Sequence, residues 1–286
     1  MPKRFKSFFT NVGGNEGTKC NYPTRLDTYG CGCSHDCSYC YAKSLLSFRK
    51  LWNPNEPKIA DIKTIDNVVR RVKRGSILRL GGMTDCFQPC ELQYGATFDA
   101  INILNNYGIG YLIVTKSHLV AEDQYIDVYD KRLAHIQVTV TTLDDDLSLT
   151  YEKASIPSKR IEAIKKLQDQ GFDVSIRLSP LIESFMDFEK LNSLGINKVV
   201  VEFLRVNSWI EKWFDIDYSK YTLNQSGYRH LPLEEKLRII SKVEIPTITV
   251  CEDVTEHYEF WKRHFNPNPN DCCNLDRNIN DARKLG

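Results

Sequence analysis

An α/β fold built on a parallel sheet with helical crossovers is what this sequence predicts, and two observations predict it. Apolar, β-rich runs recur at residues 77–80, 111–114, 136–140, 174–178, 199–203 and 245–250. Most are separated by segments long enough to contain a helix, and strands that alternate with helices pair in parallel. The rhythm alone leaves a barrel and an open doubly wound sheet equally available.

The elements follow in order. A helix is expected around Phe98 to Leu104, between the first and second runs. Between the third and fourth runs Ile161, Ile164 and Leu167 repeat at helical spacing, Pro157 and Ser158 mark the start, and Gly171 suits the stop. A further helix is expected over residues 233–240, opened by Pro232. Residues 207–230 break the rhythm: they hold Trp209, Trp213, Phe214, Tyr218, Tyr221 and Tyr228, and read as an insertion. Beyond Cys251 the chain turns polar and rich in Asn and Pro, which reads as a carboxy-terminal appendage. Asp144-Asp145-Asp146 reads as a solvated loop, and Gly108-Ile109-Gly110 precedes a strand, so it is not a dinucleotide-binding loop.

With 286 residues, 42% hydrophobic and 26% charged, the chain can bury one sizeable core. Lysine plus arginine number 38 against 37 acidic residues, so no whole-chain field draws it to nucleic acid or membrane. No apolar stretch approaches the ~20 residues of a membrane span, and the opening residues have only Phe8-Phe9 as an apolar pair. No membrane association is expected, and the cytoplasm is the expected compartment.

Ten cysteines are many for that compartment, where disulfides rarely persist, so metal binding or redox chemistry explains them better. In Gly30-Cys31-Gly32-Cys33-Ser34-His35-Asp36-Cys37-Ser38-Tyr39-Cys40-Tyr41, three residues separate Cys33 from Cys37 and two separate Cys37 from Cys40. Three thiolates so placed can bind three irons of a [4Fe-4S] cubane and leave the fourth iron to an exchangeable ligand. The competing reading is a structural zinc site, because Cys31 and His35 offer further ligands. A third is an electron-transfer cluster closed by Cys31 or His35. Cys20 reads as a buried small hydrophobe.

These motifs resemble the radical S-adenosylmethionine (SAM) superfamily, and within it the spore photoproduct lyase and DNA-repair-photolyase-like branch. The likeness runs from Cys20 to Cys251 through the loop around Cys33, Cys37 and Cys40, Thr84-Asp85 with Gln88-Pro89 and Glu91, Val114-Thr115-Lys116-Ser117, and Thr139-Val140-Thr141-Thr142-Leu143. It implies a partial (βα)6 barrel over residues 20–251, preceded by an extension of residues 1–19 and followed by an appendage of residues 252–286. A [4Fe-4S] cluster on Cys33, Cys37 and Cys40 and SAM would sit at the carboxy-terminal edge of the strands. Thr84, Asp85 and Lys116 would meet the methionyl end of SAM, Thr139 or Thr141 its ribose or carboxylate, and Arg177 the carboxylate or a substrate phosphate. Tyr39 and Tyr41 match tyrosines of a hydrogen relay.

Where spore photoproduct lyases carry a hydrogen-donating cysteine, two residues before the Thr-Asp pair, this chain has Gly82. Cys86 or Cys90 would have to take that role. The reaction implied is reductive cleavage of SAM to a 5′-deoxyadenosyl radical that abstracts hydrogen from an organic substrate, with a nucleic-acid base as the class the resemblance suggests. A small electron donor such as flavodoxin or ferredoxin is the expected partner. The aromatics of residues 207–230, interleaved with Lys212, Lys220 and Arg229, suit base stacking, although such residues also cover cores. Cys251, Cys272 and Cys273 are candidates for an auxiliary metal site, against which stands the divergence of adjacent side chains in extended backbone.

Overall fold

The computed structural model describes residue 5, residues 7–9 and residues 19–276; the expected extension of residues 1–19 falls almost wholly outside them. One sheet of eight strands organises the chain: β1 Phe8–Phe9, β2 Arg25–Leu26, β3 Ile77–Leu80, β4 Gly110–Thr115, β5 Ala134–Thr139, β6 Asp173–Leu181, β7 Lys198–Phe203 and β8 Thr247–Val250. β2 to β8 are parallel and lie side by side in chain order, while β1 pairs antiparallel with β2. All six expected runs are strands. A doubly wound sheet reverses its strand order at a switch point. Here the order never reverses, so the right-handed crossovers all fall on one face and the other face becomes the hollow of a partial barrel.

α1 spans Tyr41–Phe48, α2 Ile62–Val69, α3 Ala96–Tyr107, α4 Pro157–Asp169, α5 Leu233–Ile240 and α6 Thr255–His264. Three of these longer helices, α3, α4 and α5, form where helices are expected, and the other three join them. α4 starts on Pro157 and buries Ile161, Ile164 and Leu167; Gly171, at φ +78°, turns the chain into β6, a conformation that favours glycine. Alternate strand residues such as Leu78, Ile113, Ile136, Val138, Ile176 and Val201 are buried in the main apolar cluster beside the helices.

The intervening positions face the hollow, and many are polar. Register puts Arg25 beside Arg79, Gln137 beside Ser175, and Thr139 beside Arg177. The expected insertion forms a short helix, Ser208–Trp213, and an antiparallel hairpin of Leu223–Gln225 with Tyr228–His230. Phe214 packs edge-on against Tyr39, Tyr151 and Phe185, so part of this aromatic segment covers the core. Asp144, from the acidic run, caps the helix Asp145–Leu149, and Asp145 binds Ser158. No helix among the described residues is long and apolar enough to cross a membrane.

Candidate active site

The cysteine loop connects the short strand Tyr29–Gly30 to α1. Cys31 and Asp36 take positive φ, at 61° and 42°, which folds the loop back on itself. Gly32 has to be glycine for want of space, since a Cβ there would lie 1.9 Å from the Asn53 carbonyl oxygen. Three tethers fix the loop: Gln88 Oε1 accepts from the Ser34 N–H at 3.0 Å, the Tyr151 carbonyl from the Ser38 N–H at 2.8 Å, and the His35 carbonyl from the Lys153 N–H at 2.7 Å. Cys40 is the N-cap of α1, its sulfur accepting from the Lys43 N–H at 3.4 Å.

This geometry brings Cys33, Cys37 and Cys40 onto one cavity at the carboxy-terminal edge of the strands. Gly81 to Asp85, after β3, and Thr115 and Lys116, at the end of β4, line it from the sheet side, with Thr139, Arg177 and Glu202 beyond them. The floor is built around acids. Asp27 accepts from the N–H groups of Gly82 at 2.7 Å and Met83 at 3.1 Å, and burial raises its carboxyl to about 6 against the pull of those two donors. Thr84 donates to the Tyr29 carbonyl at 2.5 Å.

Asp85 is tied on several sides. It accepts from Thr115 Oγ1 at 2.7 Å, the Lys116 N–H at 2.7 Å and the Phe87 N–H at 2.8 Å, and lies 3.3 Å from His35 Nδ1. Burial works against its charge, but His35 and these donors together hold it down to about 2. With so many partners, Asp85 acts as a brace between the cysteine loop and the end of β4. Lys116 differs: its ammonium lies 5.4 Å over the Tyr39 ring, and among the described residues no carboxylate pairs with it. It is a cation on the cavity wall, suited to a ligand carboxylate.

Arg177 also lines the cavity, but its guanidinium is shared between Gln137 Oε1 at 2.9 Å and Glu202 Oε2 at 2.6 Å. Burial opposes the charge of Glu202, and Arg177 and Arg205 overcome it, leaving that carboxyl at about 2. Thr139 is on the wall. Thr141 is not: its hydroxyl meets Tyr151 at 2.9 Å inside the core. Tyr41 lines the cavity, donates to the Gly82 carbonyl at 3.2 Å and carries the Arg205 guanidinium 4.4 Å over its ring.

Tyr39 and Cys86 are placed otherwise than their candidate roles require. Tyr39 is buried behind the loop and donates to Glu152, which is itself paired with Arg160. Cys86 is packed in the apolar core, where its carbonyl accepts from Thr97 Oγ1, and it does not line the cavity. Cys90 lies at the start of the short helix Glu91–Tyr94, also outside the cavity.

Sequence reasoning passed over Asp27, Glu152, Arg160 and Glu202. The signal for them was charged residues beside or within β-rich or otherwise apolar stretches, which have to be buried and paired if the strand prediction holds. It also passed over the space around Gly82, where a Cβ would come 2.7 Å from Arg25 Cδ and 3.2 Å from Asp27 Oδ1. A cysteine at this position has no room while Arg25 keeps its place.

The residues present fit an iron-sulfur cluster with SAM. All three thiols are free of disulfides and line one wall, and burial pushes those of Cys33 and Cys37 well above their ordinary range, with Asp85 and Glu152 adding to the effect. A bare thiolate is costly there, and coordination to iron removes that cost. Lys116, which has no carboxylate partner among the described residues, lines the same cavity.

Comparison with known proteins adds the rest. A sequence profile described as the radical SAM superfamily matches residues 28–194. An uncharacterised protein of Methanocaldococcus jannaschii is 25% identical over 236 residues, covering 77% of this chain and 87% of that protein. An uncharacterised protein of the Acidianus two-tailed virus is 21% identical over 232 residues, covering 73% of this chain and 75% of that protein. Among solved structures, spore photoproduct lyase complexed with dinucleoside spore photoproduct superposes with a TM-score of 0.59 at 16% identity, over 80% of this chain and 76% of that one. Streptococcus suis SuiB bound to the precursor peptide SuiA gives 0.52 at 12% identity, over 79% of this chain and 48% of that one. At such identities the solved structures speak for the fold alone. Three convergent thiols would also admit zinc, but a superfamily profile spanning more than half of the chain decides the question: this protein belongs to the radical SAM superfamily and is an enzyme of that class.

Proposed function

We propose that Cys33, Cys37 and Cys40 hold a [4Fe-4S] cluster, that SAM lies across the cavity from them, and that the substrate is a nucleic-acid base. When bound and reduced, the cluster supplies the electron that breaks the S–C5′ bond of SAM, releasing methionine and a 5′-deoxyadenosyl radical. The observation that carries the reading is the shared cavity: three thiols on one side and, on the other, a lysine with no carboxylate partner among the described residues.

Lys116 pairs with the methionyl carboxylate. The backbone of residues 81–84, held down by Asp27 and Tyr29, presents a close-fitting floor to the amino end, and Thr84 and Thr139 line the same space. Asp85 keeps the end of β4 and the cysteine loop in one fixed relation, so Lys116 and the thiols do not drift apart. Arg177 is balanced by Glu202, so its role is to line the cavity without adding net charge.

Support for a nucleic-acid substrate comes from the rim. Arg205, paired with Glu202 and Asp253, lies over both Tyr41 and Tyr228; Lys43, paired with Asp36, lies 4.8 Å over Trp213; and Trp209 beside it is exposed. Cations on aromatic faces suit a base with its phosphate. A solved enzyme of this fold is complexed with a dinucleoside photoproduct. Since Gly82 stands where those lyases carry the hydrogen-donating cysteine and Cys86 and Cys90 lie outside the cavity, the reading assigns the return of a hydrogen atom to Tyr41, which lines it. A small reductant of the flavodoxin or ferredoxin class would deliver the electron.

The test is anaerobic reconstitution with iron and sulfide, reduction, and chromatographic assay for 5′-deoxyadenosine, followed by incubation with lesion-bearing dinucleotides in the presence of SAM deuterated at C5′. Deoxyadenosine formed by the intact protein and lost in Cys37→Ala supports the cluster assignment, and deuterium exchange with a dinucleotide supports the substrate class. Deoxyadenosine without exchange into any nucleotide would overturn the substrate reading alone.

A further inference from the structure

Residues 48–59, which follow α1, are bound to the start of the cysteine loop. Lys58 and Ile59 pair with Gly30 and Tyr29, and the Asn53 N–H donates to the Cys31 carbonyl at 2.7 Å. The Asn53 carbonyl closes on Gly32, whose neighbour is Cys33. Consecutive Cα atoms stand about 3.8 Å apart, so this segment touches the chain one residue from a thiol assigned to the cluster. None of residues 43–59 lines the active-site cavity. The segment therefore reaches the cysteine loop without entering the space where SAM and substrate are placed.

Of eight large apolar side chains exposed among the described residues, three lie in this segment: Phe48 at 74%, Leu51 at 45% and Ile59 at 40%. Arg49, Lys50 and Lys58 stand among them, against one acid, Glu56. Arg49 and Lys50 are exposed. Lys50 holds φ +56°, a conformation that glycine adopts at less cost, so a cation is kept there against the preference of the backbone. Single exposed apolar residues need no explanation. Three of them mixed with cations make a surface that another protein can desolvate and that an acidic one finds by its charge. A nucleic acid would answer the cations but gain little from Leu51 and Ile59.

We propose that this patch docks the electron donor, a small acidic redox protein, and that the electron enters by way of Asn53 and Gly32 toward Cys33. The inference rests on the assignment of a [4Fe-4S] cluster to Cys33, Cys37 and Cys40. The step moves one electron: the donor is oxidised by one, the cluster is reduced by one, and no bond or proton changes hands. Electron transfer weakens steeply with distance, and the patch belongs to the segment that touches the cysteine loop directly. Electron-transfer encounters bury less than about 1,200 Å² in total, so a few apolar side chains among cations suffice, and the donor leaves after each delivery. Because no residue of the segment lines the cavity, a docked donor and a bound substrate use separate side chains.

The experiment measures 5′-deoxyadenosine formed by the full chain, reconstituted anaerobically, with limiting photoreduced acidic ferredoxin, limiting photoreduced acidic flavodoxin, or excess dithionite. Arg49→Glu/Lys50→Glu should lower the rate driven by the donor proteins about tenfold or more at low salt, the scale on which electrostatic steering acts, and leave the dithionite-driven rate unchanged. The unaltered protein should lose its donor-driven rate as salt screens the charges, and this variant should show little such dependence. Phe48→Ser should lower the donor-driven rate and keep the salt dependence. Lys159→Glu/Lys165→Glu, the same change of charge on α4, should do neither. An equal loss in the α4 variant, an unchanged rate in Arg49→Glu/Lys50→Glu, or an intact protein that dithionite activates and neither donor protein does, overturns the proposal. Phe48→Ser and the salt dependence of the unaltered protein decide the matter even if the charge-reversed variant fails to fold. Failure of the SAM-cleaving assignment would show separately, as intact protein that makes no deoxyadenosine with any of the three reductants.

Discussion

Replacing Arg160 with methionine should destabilise the protein far more than its distance from the cavity suggests. Arg160 and Glu152 are both fully buried and paired. Arg160 also donates to the Ser155 carbonyl at 2.5 Å and the Thr139 carbonyl at 3.0 Å, while Glu152 accepts from Tyr39 and, at 3.8 Å, from Cys37 Sγ. Methionine fills most of the volume, so the cost comes from electrostatics and lost hydrogen bonds. Stranding a buried charge costs about 3–5 kcal/mol, and each carbonyl left without its donor adds about 1–3 kcal/mol, with partial relaxation bringing the whole toward roughly 5 kcal/mol. Urea unfolding of the cluster-free protein under reducing conditions reads this as a shift in midpoint. The double variant Arg160→Met/Glu152→Leu removes both charges and should recover at least about 2 kcal/mol over the sum of the two single changes. A loss below about 1 kcal/mol in Arg160→Met, or a double variant equal to that sum, would refute the claim that these charges are coupled in the core. Residues 151 and 153 bind the cysteine loop, so the single variant should also lower SAM cleavage at temperatures where it stays folded.

Three further outcomes follow from the same geometry. Lys116→Met should leave iron content unchanged and raise the KM for SAM roughly tenfold to a hundredfold, the worth of one charge-assisted hydrogen bond of about 1.5–3 kcal/mol; unchanged KM would remove Lys116 from the site. Gly82→Ala places a Cβ 2.7 Å from Arg25 Cδ and 3.2 Å from Asp27 Oδ1, so it should cost about 1–3 kcal/mol in urea unfolding, and Gly82→Cys should not confer lyase-like hydrogen return. Asp173 accepts from His135 at 2.6 Å and Lys198 at 2.7 Å, which overcome the burial penalty and hold its carboxyl down to about 2. A depressed acid stabilises the fold above its unfolded pKa and loses that stabilisation as pH falls through the folded value, so the wild type should lose about 2 kcal/mol between roughly pH 4 and pH 2 that Asp173→Asn does not. Parallel acid limbs in the two proteins would refute it.

The strands were legible because all six runs are at most half polar and β-branched residues recur in them, and α4 was legible because Pro157 and Gly171 bracket it. β2 escaped notice for a physical reason: it is two residues long and one of them is Arg25, whose pairing with β3 rather than its propensity makes it a strand. The choice between barrel and doubly wound sheet depends on strand order, which no local pattern encodes. The cysteine trio was legible from spacing alone, since sequence-local ligands need only a loop. Glu202 reaches the cavity through strand register, Asp27 holds its floor from a loop, and Cys20 shares a cavity with Cys272 only because the segment before β2 and the segment after α6 fold together.

The hollow of this barrel is lined by charges that answer one another: Arg177 leans on Gln137 and Glu202, Glu202 on Ser179 and Arg205, and Arg205 on Asp253. An apolar core drifts one residue at a time, because a methyl group lost in one place is tolerated by its neighbours. A network of this kind does not, since any single change of charge strands its partner in a largely buried lumen. The lineage of this protein should therefore have altered its lumen in compensated pairs, and descendants that acquired new substrates should differ at the rim long before they differ at Arg177 and Glu202.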